Sequence, residues 1–301
     1  VTMQATRVSD GHARLVLAAS ILTCLLIAMG GIVCATESGE ACPDWPGCYG
    51  RAVPPLQINA IIEYTHRLIA ALTTPFILAA AFVTWRRARG IGWLMRPLLL
   101  VIPFLIAVIT FGALTVLRGL TPPWAAVDLG SALIVGALVV TAAVVARVLR
   151  DNPDRRARLS LAAPLTRLSL AATAAAWAVL VSAVLVAGPG SVTRCVGWPM
   201  LTIVPVDRAG WPQPARLALA AIAALLIVLL VVRSRHDTGG QRAVRRGAGI
   251  AGLLFAAELA VGLAILAGGA TAFLLVTHVV LAVALWAALV ATTVLAALGP
   301  Q

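Results

Sequence analysis

A chain of 301 residues that is 61% apolar and only 11% charged, with a mean hydropathy of +1.00, is composed for a lipid solvent and excludes a soluble two-domain enzyme. At roughly 20 apolar residues per spanning helix, the length holds about eight spans and leaves no room for a separate extramembrane domain. The net charge of +12 arises from 23 arginines and no lysine; these cluster between apolar runs, so they set topology and do not form a nucleic-acid footprint.

Apolar runs of spanning length fall at 15–33, 60–84, 98–117, 125–146, 165–187, 215–232, 248–268 and 272–297. The pattern predicts an all-α polytopic membrane protein whose termini share one side. Arginines gather at Arg7 and Arg14, Arg86 to Arg96, Arg147 to Arg167 and Arg233 to Arg246, 17 of the 23 in all. The positive-inside rule therefore assigns the termini and the 85–97, 147–164 and 233–247 loops to the cytoplasm, and 34–59, 118–124 and 188–214 to the outside. The first run follows Arg7 and Arg14 as a secretory signal would, but about 19 apolar residues is long for a signal core, and it reads as a span. Cys34 lacks the preceding leucine and small residues of a lipid-modified cysteine.

In the first outer loop, Cys42-Pro43-Asp44-Trp45-Pro46 has a counterpart in Cys195-Val196-Gly197-Trp198-Pro199 of the third. Downstream, the stretch beginning Asp128-Leu129-Gly130 aligns with His278-Val279-Val280 at a similar offset. This spacing predicts two pseudo-repeated four-helix bundles, residues 1–160 and 161–301. Cys34, Cys42, Cys48 and Cys195 all lie outside, where disulfides are allowed, whereas Cys24 lies within the first span. Cys42 and Cys48 enclose a tight loop that a disulfide could close, and Cys34 with Cys195 would then join the halves; four cysteines admit three pairings, and the sequence leaves them open.

An ionisable side chain within a span costs a few kcal/mol and marks function by default. The set is Glu63, His66, Arg67, Asp128, Glu258 and His278. Glu63 and His66 are three apart and share a helix face. His66, Asp128 and His278 lie at similar depth below the outer surface. A histidine there ligates a metal or haem, shuttles protons, or hydrogen-bonds a neighbouring helix. Two at matched depth, one with a carboxylate on its own face, favour a haem or quinone pocket. No paired Cys-x-x-Cys or His-x-x-x-His spacing points to zinc or an iron–sulfur cluster. His12 and His236 sit in arginine-rich segments and are expected to be solvated.

Gly30-Gly31-Ile32-Val33, Ser38-Gly39, Cys42-Pro43-Asp44-Trp45-Pro46-Gly47-Cys48 and Ile62-Glu63-Tyr64-Thr65-His66-Arg67-Leu68 together resemble the first half of haem A synthases. Leu114-Thr115-Val116-Leu117-Arg118-Gly119-Leu120-Thr121-Pro122 resembles that family's connection into its fourth helix, and the eight-helix plan agrees over nearly the full length. The resemblance implies a membrane oxidoreductase that converts haem O to haem A by oxidising a ring methyl to a formyl group for cytochrome oxidase. It implies His66 as a ligand of the substrate haem iron, His278 as a ligand of a haem b cofactor, Glu63 as the carboxylate that exchanges protons or stabilises a cationic intermediate, and Cys42 with Cys48 as the outer cysteine pair. Two family histidines are replaced: Asp128 stands at the fourth-helix position, and the span at 215–232 contains none. Cys34 and Glu37 also depart from the family pattern, Glu37 taking the place of a glycine.

The resemblance further implies a bacterial inner membrane with both termini cytoplasmic. Membrane lipid, haem O, and the haem O-forming enzyme or cytochrome oxidase are the expected partners, and a homo-oligomer is among the expectations. Arg51, Arg118, Arg194 and Arg216 could meet haem propionates, though solvation is the favoured reading for each. The alternative is a non-catalytic haem-binding relative, acting as an assembly factor or accessory subunit of a respiratory complex. A transporter built on related halves is the third class; the candidate spans lack most of the breaks it would need.

Overall fold

The structure, a computed structural model, describes residues 8–119, 121–153, 159–186, 212–236 and 242–299. Its described residues form eight helices: α1 (Asp10–Ala35), α2 (Ile58–Ala88), α3 (Gly92–Arg118), α4 (Pro122–Asp151), α5 (Pro164–Val186), α6 (Pro212–His236), α7 (Arg242–Gly268) and α8 (Ala272–Leu298). All eight are long and apolar enough to cross a bilayer. The molecule is an all-α multi-pass membrane protein. Among the described residues the only strand-like pairing is an isolated bridge between Cys48 and Arg51.

Local chemistry explains where the helices begin and stop. Ser9 caps α1, its hydroxyl accepting from the His12 amide at 3.3 Å, and Thr271 caps α8 by accepting from Leu274 at 3.4 Å; both satisfy amides that have no partner within the helix. Pro122 opens α4, where a missing amide hydrogen is harmless. The end of α1 is closed by a paired motif, with the Ser38 amide donating to Val33 and the Glu37 amide to Cys34. Glu37 takes the left-handed conformation at φ 51°, the position where such a motif favours glycine.

Packing follows from which faces are apolar on both sides. In the first four helices α1 meets α2 and α4, and α3 meets α2 and α4; in the last four α5 meets α6 and α8, and α7 meets α6 and α8. The seam is made by α1 with α8 and by α4 with α5 and α8. Val16, Ile77, Leu98 and Val139 belong to one buried cluster, and Leu133, Ile227, Leu285 and Leu289 to another. Along the seam, Trp177 of α5 donates to the Gly130 carbonyl and Trp286 of α8 to the Leu133 carbonyl, both at 3.2 Å. Two indoles thus grip one turn of α4 from both sides, each with its polar handle satisfied. Large side chains such as Leu25, Leu100, Ile106 and Leu253 stay exposed, as lipid-facing positions require.

Candidate functional site

The loop between α1 and α2 is tied to α2 by one charged pair. Cys42 and Cys48 are joined by a disulfide, and the Asp44 carboxylate inside that loop accepts from the amides of Tyr49 at 2.6 Å and Gly50 at 2.5 Å. From below, the Arg67 guanidinium donates to the carbonyls of Asp44 at 2.5 Å, Gly47, and Cys42 at 3.3 Å. It also pairs with Glu63, one turn earlier on α2, at 2.5 Å. The second oxygen of Glu63 accepts from the Cys42 amide at 2.8 Å. Glu63, only 3% exposed, therefore anchors the loop with both oxygens while sharing a helix with His66.

His66 lies about 12 Å along α2 from its N-terminal end, counting 1.5 Å per residue from Ile58. Its ring packs on Gly30 of α1, where an added Cβ would stand 3.3 Å from Cε1. Its Nδ1 is buried and has no hydrogen-bond partner. The next residue, Gly31, faces the opposite neighbour: a Cβ there would fall 2.4 Å from Val279 of α8. The glycine pair lets α1 pass between the His66 ring and the residue adjoining His278.

His278 is about 9 Å from the N-terminal end of α8 by the same rise. It is 1% exposed, as is Glu258 of α7, and its Nδ1 stands 2.6 Å from Glu258 Oε1. The approach lies off the ideal hydrogen-bond direction, and neither atom has another hydrogen-bond partner. His278 Nε2 is buried without a partner. Asp128 is half-buried on α4, and its Oδ1 is likewise buried with no hydrogen-bond partner.

Glu258 received no role from the sequence, although a carboxylate that deep in a span is itself a signal that a partner must exist. Two expectations of solvation are overturned. His12 is 3% exposed, and its Nε2 meets Thr84 Oγ1 of α2 at 2.8 Å; the amphipathic start of α1 tucks its ring against α2. Arg216 is 6% exposed. A repeated string could have flagged it: Ala215-Arg216-Leu217 stands in α6 as His66-Arg67-Leu68 does in α2. His236, Arg51 and Arg118 are exposed as expected. Cys34 is disulfide-bonded and Cys24 is free; Arg194 and Cys195 lie outside the described residues.

Residues 13–290 match the model of a family described as cytochrome oxidase assembly protein. The chain belongs to this family, the haem A synthase family. Among its relatives, a protein named Heme A synthase from Halalkalibacterium halodurans is 27% identical over 71% of this chain and 72% of its own. Another of that name from Staphylococcus haemolyticus is 26% identical over 81% of this chain and 82% of its own. A third, from Exiguobacterium sibiricum, is 24% identical over 84% of each. Membership makes haem the group against which the site is tested. His66 makes no hydrogen bond among the described residues, and His278 Nε2 is buried without a partner. The described parts of α4 and α6 within the span supply no second imidazole. The donors present fit haem held by a single histidine at each of these two positions.

Proposed function

We propose that the chain oxidises haem O to haem A, converting a ring methyl to a formyl group, in a bacterial inner membrane with both termini cytoplasmic. The observation that supports this most is His66, which makes no hydrogen bond among the described residues and lies one turn below Glu63 and next to Arg67, the pair that fastens the disulfide loop. In this reading residues 1–160 hold the substrate haem O through His66, and residues 161–301 hold a haem b through His278. A bound haem b supplies one-electron redox chemistry at its iron. Glu63 keeps a spare lone pair on each oxygen and is the proton acceptor on the His66 face. Arg67 sets positive charge beside it, and the loop it grips limits water above the site. The haem O-forming enzyme and cytochrome oxidase are the natural donor and recipient.

The test is production of haem A in cells that make haem O and lack their own synthase, read by chromatography of extracted haems. Haem A appearing with this chain, and absent from His66→Ala, is the expected result. The replaced ligand at Asp128 favours a second reading, a haem-binding assembly factor without catalysis. That reading expects a pyridine haemochrome of haem b in the purified protein and no haem A in the cells. Absence of any haem from the purified protein removes both.

A further inference from the structure

We propose that Glu258 is a positioning residue for His278, holding the imidazole by Nδ1 so that Nε2 is the ligating nitrogen of the second half. The inference rests on the reading of His278 as a haem b ligand. Several observations lead to it. The pair brings α7 and α8 within 2.6 Å, with both residues 1% exposed. A cross-link between helices needs no charge: α5 and α8 are joined by Thr173 and Thr293 hydroxyls at 2.9 Å. Burying a carboxylate instead carries a large desolvation penalty, which one ring contact repays poorly. A carboxylate on the far nitrogen of a ligating histidine is, by contrast, the usual outer-shell arrangement: it fixes the tautomer, orients the ring and makes the ligand more electron-rich.

The two halves differ on this point. His278 Nδ1 has the Glu258 carboxylate 2.6 Å away, whereas no ion pair involves His66 among the described residues, because the carboxylate on its helix is committed to Arg67 and the Cys42 amide. His278 is braced and His66 is not. A braced, electron-rich imidazole retains its haem and favours ferric iron, as suits a resident group. An unbraced one binds more loosely, as suits a substrate that must depart.

The experiment uses the full chain, purified in detergent, in a His66→Ala background so that haem b titrated into it reports the second half. Affinity is read from the Soret band and the midpoint potential from a redox titration. Glu258→Ala should weaken haem b binding about 10–100-fold. Glu258→Gln should recover most of that affinity, because its carbonyl still accepts from Nδ1–H, yet its midpoint should move positive as the charge is lost. Unchanged affinity in Glu258→Ala overturns the assignment. So does Glu258→Gln with the parent's midpoint, which would leave Glu258 a packing residue; that measurement decides alone if the alanine variant misfolds. His278→Ala separates the two levels: if it binds haem b as the parent does, the ligand reading itself fails, whereas loss there with no effect at Glu258 overturns only the positioning role.

Discussion

At Glu63 one carboxylate carries two loads, an ion pair with Arg67 and an acceptor bond from the Cys42 amide. Glu63→Gln offers one oxygen and one NH2 to two donors, so one contact is lost, at a cost of about 1–3 kcal/mol. The expected outcome is a variant that still shows a haem Soret band but yields no haem A in extracted membranes; normal haem A would remove Glu63 from the chemistry. Arg67→Ala is more severe, because it strands a buried carboxylate: a loss of about 3–5 kcal/mol, seen as a melting temperature well below that of Glu63→Gln. Glu37 is opposite in sign. It holds φ 51° at the end of α1, a conformation that costs a side-chain-bearing residue roughly 1–2 kcal/mol. Glu37→Gly should therefore raise stability by up to about 1 kcal/mol, after allowing for the extra freedom glycine gains when unfolded.

Among the helices, α1 is the divider. Its Gly30 meets the His66 ring and its Gly31 meets Val279, with a Cβ at the latter 2.4 Å from Cγ1. Gly31→Ala forces α1 and α8 apart or drives Val279 off its rotamer, and overpacking of this kind costs about 1–3 kcal/mol. Removing the opposing branches in Gly31→Ala/Val279→Ala should restore most of the lost stability. Thermal melts of the two single variants and the double provide the check, and additive losses would refute a direct clash.

Over the whole molecule, charge sets direction and packing sets partnership. The arginine-rich connections, such as that between α2 and α3, lie at the opposite end of the spans from the disulfide loop, and the proposed topology puts the former in the cytoplasm by the positive-inside rule. A cysteine placed at Val53, which is 72% exposed, should react with an impermeant maleimide in intact cells. One at Gly90, in the turn between α2 and α3, should react only after lysis. The reverse pattern would invert the topology and, with it, the oxidising side on which the Cys42–Cys48 disulfide forms.

The spans were legible in the sequence because membrane insertion depends on hydropathy summed along about 20 residues, a one-dimensional quantity. His66, His278 and Glu63 stood out for the same reason, as rare polar groups in an apolar background. Which buried polar group meets which was decided only by tertiary structure. Glu258 reaches His278 across two helices, Glu63 turns up to the disulfide loop, and His12 is taken in by Thr84. Such pairings depend on the rotation and depth of neighbouring helices, set by close contacts such as Gly31 on Val279. Runs of interchangeable Ala, Leu and Val carry the hydropathy of a span without recording which of its faces a neighbour will cover.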